Sequence, residues 1–173
     1  PSASADAPRH AMFAVGHRSR PLRLERWIPQ SPRSDQTWVL MMPGLGGDPN
    51  HFHWLARSLM QAGWPVLVLE HPGSDAAAVQ GLLEGRQSFD GAAALRDRLA
   101  DLAAVLEAQQ RGDLNIPGTE VVLMGHSLGA LTAILASGAE LVPGMAQRCE
   151  AALAGLPLTN LSELLQCELA AGR

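Results

Sequence analysis

Residues 120–130 read Glu-Val-Val-Leu-Met-Gly-His-Ser-Leu-Gly-Ala, and the apolar run resumes directly as Leu131, Thr132, Ala133, Ile134 and Leu135. The stretch 120–124, apolar from Val121 to Met124, reads as a strand covered on both faces, and the segment after Ser127 as a helix to about residue 138. The Gly-x-Ser-x-Gly between them therefore falls where a strand turns sharply into a helix. Such a turn holds its serine in strained backbone and packs helix tightly against strand, so it needs small residues on both sides. Gly125 and Gly129 meet that need, and Ala130 and Ala133 keep the first helical turns small. The Ser127 hydroxyl is then lifted above the sheet, beside a helix N-terminus whose partial positive charge favours a developing oxyanion. Ser127 is the candidate nucleophile, framed by Gly125, His126 and Gly129, with His126 as a packing residue of the turn. The alternative is a glycine-rich connection with an incidental serine.

Working outward, Thr37–Met42 is a second continuous apolar run, and it ends at Pro43-Gly44-Leu45-Gly46-Gly47. Asp48 as N-cap and Pro49 at the first helical position open a helix, whose apolar residues Phe52, Leu55, Ala56, Leu59 and Met60 share one face before Gly63. Residues 64–69 form a third buried strand, ending at Glu70-His71-Pro72-Gly73-Ser74. Gly81 and Gly85 argue against a regular long helix over 75–89. Leu95, Leu99, Leu102 and Leu106 mark an amphipathic helix over Gly91–Gln110. Before all of these, 10–15 and 22–28 are short strands joined by a turn-rich segment, an antiparallel edge. A further helix is expected over 161–170, with Asn160 and Glu163 spaced as a capping box. Apolar strands alternating with amphipathic helices specify a mostly parallel sheet with right-handed crossovers, hence an α/β fold. Residues 1–8 read as a flexible segment of small and polar residues, and 9–173 as part of a single domain.

Composition narrows the function classes. Of 173 residues, 47% are hydrophobic and 17% charged, enough for a packed core and against disorder. No apolar run approaches the ~20 residues of a membrane-spanning helix. All 13 basic residues are arginines, scattered in a chain of net charge −4, which is a poor nucleic-acid binder. Cys149 and Cys167 are too few for a metal motif or disulfide framework and read as ordinary thiols, with a bridge between them left open. No metal or organic cofactor is implied. The compartment is open: cytoplasmic by default, secreted or periplasmic if the N-terminus is a processed one.

Acyl-carbon chemistry needs two backbone N–H groups converging on the oxyanion, one from the residue after the nucleophile and one from the loop after an earlier strand. Leu128 is the first candidate and Leu45 the second, with Gly46 as the fallback donor. In this order, the Pro43–Gly47 loop, Glu70-His-Pro-Gly-Ser74 and Gly125-His-Ser-Leu-Gly129 resemble the α/β-hydrolase superfamily over about residues 9–140. Within it they are most similar to the predicted dienelactone hydrolase and platelet-activating-factor acetylhydrolase-like branch. Pro43 departs from the pattern: many relatives carry a histidine there, which often steadies the loop. Dienelactone hydrolases proper use a cysteine nucleophile, so Ser127 speaks for an esterase-like activity. The resemblance implies an α/β-hydrolase fold acting on a small-molecule carboxylic ester or lactone through an acyl-enzyme.

A serine hydroxyl needs a base, usually a histidine held by a carboxylate, and in this fold both follow the serine. After Ser127 the sequence has no His and no Asp. His51, Trp54 and His71 are candidates for a substrate rim, because ligands collect at the carboxyl ends of parallel strands. The expectation is that 9–173 is the N-terminal part of a longer hydrolase domain, with acid and base beyond Arg173, and that further chain or a partner covers the last sheet edge. Two alternatives stand beside ester hydrolysis. One is an inactive fragment or interaction module on a hydrolase scaffold, the other a serine acyltransferase.

Overall fold

The computed structural model describes residues 7–140, 143–144, 147–150 and 167. Five strands form one mixed sheet in the order β1-β2-β4-β3-β5: β1 Arg9–Phe13, β2 Leu22–Trp27, β3 Thr37–Met42, β4 Val66–Glu70 and β5 Glu120–Gly125. β1 and β2 run antiparallel to their neighbours, while β3, β4 and β5 are parallel. The helices are α1 His53–Gln61, α2 Ala76–Leu83, α3 Gly91–Gln110 and α4 Leu128–Ala136.

The apolar runs of β3 and β4 are continuous because both faces of the sheet are covered. Trp38, Leu40 and Met42 of β3 join Leu67 and Leu69 of β4 under Leu102, Val105 and Ala108 of α3. Val39 and Met41 join Val66 and Val68 on the other face, under Ala56 and Met60 of α1. Each such side chain contributes about 2 kcal/mol by leaving water. Alternation in β2 follows the same rule with polar exceptions. Leu22 and Leu24 enter the α3 face, whereas fully buried Glu25 points to the α1 face and takes a hydrogen bond from His53 Nε2 at 2.7 Å.

Several expectations shift. The helix after Asp48 begins as a 3-10 turn, Pro49–Phe52, before α1, and Asp48 caps it by accepting from the Asn50 N–H at 2.8 Å. Within 75–89 there is a helix of eight residues, α2, capped by Asp75 and followed by Gly85 at φ 68°. On α3 the buried stripe is Leu95, Arg98, Leu102 and Val105, with Leu99 and Leu106 only partly buried. The sequence stripe followed the leucines; the real one is rotated by a polar pair, Arg98 and Asp101, whose partners lie inside. β5 also differs from the expectation of a strand covered on both faces. It pairs only with β3 among the described strands, and Val121 and Val122 are 37% and 42% exposed. Cys149 and Cys167 are joined in a disulfide, which corrects the reading of two ordinary thiols. The helix expected over 161–170, with its Asn160 and Glu163 cap, lies outside the described residues. Among the described residues no helix is long and apolar enough to cross a membrane, and no cluster of His, Cys, Asp and Glu could hold a metal ion.

Candidate active site

Ser127 stands at the C-terminal end of β5, between that strand and α4, with φ 53° and ψ −120°. A non-glycine residue in this region costs about 1–3 kcal/mol and persists only where its surroundings impose it. Here they do. A Cβ on Gly129 would lie 2.0 Å from the Met42 carbonyl oxygen, and one on Gly125 would lie 2.2 Å from the Gly129 backbone. With no side chain at either position, α4 descends onto the ends of β3 and β5. The His126 N–H donates to Met42 O at 3.3 Å, and the Gly129 N–H to His126 O at 2.9 Å. His126 therefore serves the turn through its backbone; its side chain is exposed, which corrects its reading as a packing residue. Ser127 is likewise exposed.

The Pro43–Gly47 loop backs directly onto this turn. A Cβ on Gly44 would meet Ser127 Cβ at 3.0 Å. Leu45 and Leu128 point their side chains into one apolar cluster with Leu95. Among the described residues, neither the Leu45 nor the Leu128 N–H has an acceptor. Gly46 differs: its N–H donates to Ser74 O at 2.8 Å, which takes the fallback donor out of use.

The loop is held from below by polar groups that the sequence reading passed over. Arg98 is 1% exposed, yet its guanidinium reaches Ser74 Oγ (2.8 Å), Thr132 Oγ1 (3.1 Å) and the Pro43 carbonyl oxygen. Burial pulls its pKa down to about 10, so it stays protonated at neutral pH. Beside it, Asp101 accepts from His71 Nδ1 (2.8 Å), His17 Nε2 (2.7 Å) and Arg18 (2.6 and 2.9 Å). Burial alone would raise the Asp101 pKa; the donors from His71 and Arg18 outweigh it and bring it to about 2. His71 is the reverse case. Burial, reinforced by Arg98 and Arg18, overrides Asp101 and lowers its pKa to about 4, and its Nε2 is buried without a partner among the described residues.

This geometry corrects the rim assignment of His71, which is enclosed under the sheet end and turned onto Asp101. His51 and Trp54 are exposed at the start of the helix after the loop, Trp54 at 70%, and no described contact ties either to Ser127. The other histidines are committed elsewhere: His17 to Asp101, His10 and His53 to Glu25. Among the described residues no histidine hydrogen-bonds Ser127.

A family model described as "Alpha/beta hydrolase family" matches residues 3–166. The chain belongs to the alpha/beta hydrolase family. Solved structures share its fold. A ferulic acid esterase from Streptomyces cinnamoneus superposes with a TM-score of 0.61 at 16% identity, over 79% of this chain and 56% of that one. A lipase in its open form gives 0.57 at 19%, over 93% and 56%. Esterase 2 of Thermogutta terrifontis gives 0.51 at 16%, over 75% and 44%. This alpha/beta hydrolase chain thus spans about half the length of the solved structures it matches. No curated protein matches it by sequence.

Arg98 and Asp101 were the residues missed. Their signal was present: an Arg and an Asp three apart on an otherwise apolar helix face, where a charge needs a buried partner.

Proposed function

We propose that the hydrolase containing this chain cleaves carboxylic esters or lactones through an acyl-enzyme on Ser127. The observation that carries this is the Ser127 backbone, held at φ 53° with Gly44 against its Cβ. Strain of that kind, beside two N–H groups with no acceptor among the described residues, suits a preorganised acyl-transfer site.

In this mechanism the Ser127 oxygen attacks the carbonyl carbon as its proton passes to a histidine. The resulting oxyanion accepts hydrogen bonds from the N–H groups of Leu45 and Leu128. Collapse expels the alcohol, which takes up the proton from the histidine. Water then repeats the sequence on the acyl-enzyme and releases the acid. The activating histidine and its carboxylate are supplied from outside the described residues, in keeping with the absence of any described histidine on Ser127. Esterases and lipases among the structural neighbours favour the same substrate class.

A fluorophosphonate probe applied to the full-length protein should label Ser127, located by peptide mass mapping, and Ser127→Ala should abolish ester turnover. An active full-length protein without label at Ser127 overturns the assignment. The 173-residue chain alone should turn over p-nitrophenyl esters no faster than its Ser127→Ala variant.

A further inference from the structure

We propose that Arg98 is a positioning residue of the oxyanion hole, a buried clamp that sets Leu45 and Leu128 relative to each other; this rests on the Ser127 reading above. The loop carrying Leu45 is pinned on both sides of that residue. Before it, the Pro43 carbonyl accepts from Arg98; after it, the Gly46 N–H donates to Ser74 O at 2.8 Å. Both pins lead to one guanidinium, because Ser74 Oγ accepts from Arg98 at 2.8 Å. The third arm reaches the other donor. Arg98 Nε donates to Thr132 Oγ1 at 3.1 Å, and that hydroxyl donates to Leu128 O at 2.8 Å, in the first turn of α4.

Three segments distant in sequence thus meet on one planar group: the loop after β3, the loop after β4 and the helix after β5. A guanidinium suits the task because its donors fan out in a fixed plane, whereas an ammonium on a flexible stem holds no comparable geometry. The position also explains how Pro43 is tolerated. Pro43 has neither an N–H nor a polar side chain to steady the loop, and the clamp grips the one polar group it has, its carbonyl. Fixed donors are worth most when they need no reorganisation as charge develops.

The test uses the full-length enzyme with a p-nitrophenyl ester, and a trifluoromethyl ketone that adds to the serine and places an O⁻ in the hole. Losing an oxyanion donor outright costs about 10²–10³ in kcat, so loosening the loop in Arg98→Met should cost about tenfold or more, with KM within about twofold. Affinity for the ketone should fall in parallel with kcat/KM, and Arg98→Lys should recover only part of either. Should Arg98→Met not fold, Ser74→Ala and Thr132→Val decide, each removing one arm with little change in size and each lowering kcat. Wild-type kcat and ketone affinity in a folded Arg98→Met, or in both smaller variants, overturn the clamp while leaving Ser127 as nucleophile. Full activity in Ser127→Ala overturns the nucleophile reading, and the clamp with it.

Discussion

Acidification probes the buried polar cluster directly, and His71 sets its size. With its Nδ1–H on Asp101 and its buried Nε2 lacking any partner among the described residues, the ring has no acceptor for a second proton. Its pKa accordingly falls from the ordinary 6.5 to about 4. In the unfolded chain the same ring protonates near 6.5. Between those values the unfolded state binds more protons than the folded one, so stability falls as pH falls. At about 1.4 kcal/mol per pKa unit, going from pH 7 to pH 4 removes about 3 kcal/mol, a large share of a small domain's stability. Asp101 works below that window: its contribution, from a pKa lowered to about 2, is present above its ordinary value of 3.8 and is lost as pH falls through 2. The assay is urea unfolding of the wild type and of His71→Asn at half-unit steps from pH 7 to 4. Asparagine keeps a donor for Asp101 but does not titrate. The stability difference between the two proteins should change by about 3 kcal/mol across the range, in the direction that penalises the wild type in acid. Parallel pH profiles would refute the assignment of a buried, neutral His71.

Two further outcomes follow from packing and covalent structure. Gly129→Ala drives a Cβ into the Met42 carbonyl oxygen, which backbone cannot yield without moving α4 off β3; a loss of about 3 kcal/mol or more in urea unfolding is expected, and one under about 1 kcal/mol would contradict the close approach. The Cys149–Cys167 bridge closes a sequence separation of 18; non-reducing peptide mapping should recover the linked pair, and Cys149→Ser should cost about 3 kcal/mol, whereas free thiols in both peptides would contradict the bridge.

Much of the frame was legible from local pattern. The unbroken run Thr37–Met42 and the 20 residues of Gly91–Gln110 fall where the sequence placed them, because continuous apolarity and strong periodicity are backbone-local signals. The strand–Gly-x-Ser-x-Gly–helix order was equally readable, since only small residues at 125 and 129 permit that turn. The coverage of β5 was not readable. Val121 and Val122 look like core residues to any pattern argument, and their exposure depends on which strands lie beside them. His71 illustrates the same limit. Its place at a strand end is local, but whether it faces a substrate or Asp101 depends on α3, 30 residues later in the chain.

What the sequence by itself determined, then, is the alternation of strands and helices and the place of Ser127 at a strand-to-helix turn, because apolar pattern and small residues within a few positions mark both. What only the tertiary structure decided is how the loop carrying Leu45 is held. Pro43, Ser74, Arg98 and Thr132 lie on four separate segments, and a buried guanidinium has meaning only once its acceptors have been folded around it. The free energy of burying that charge is set by those contacts, which no local pattern records.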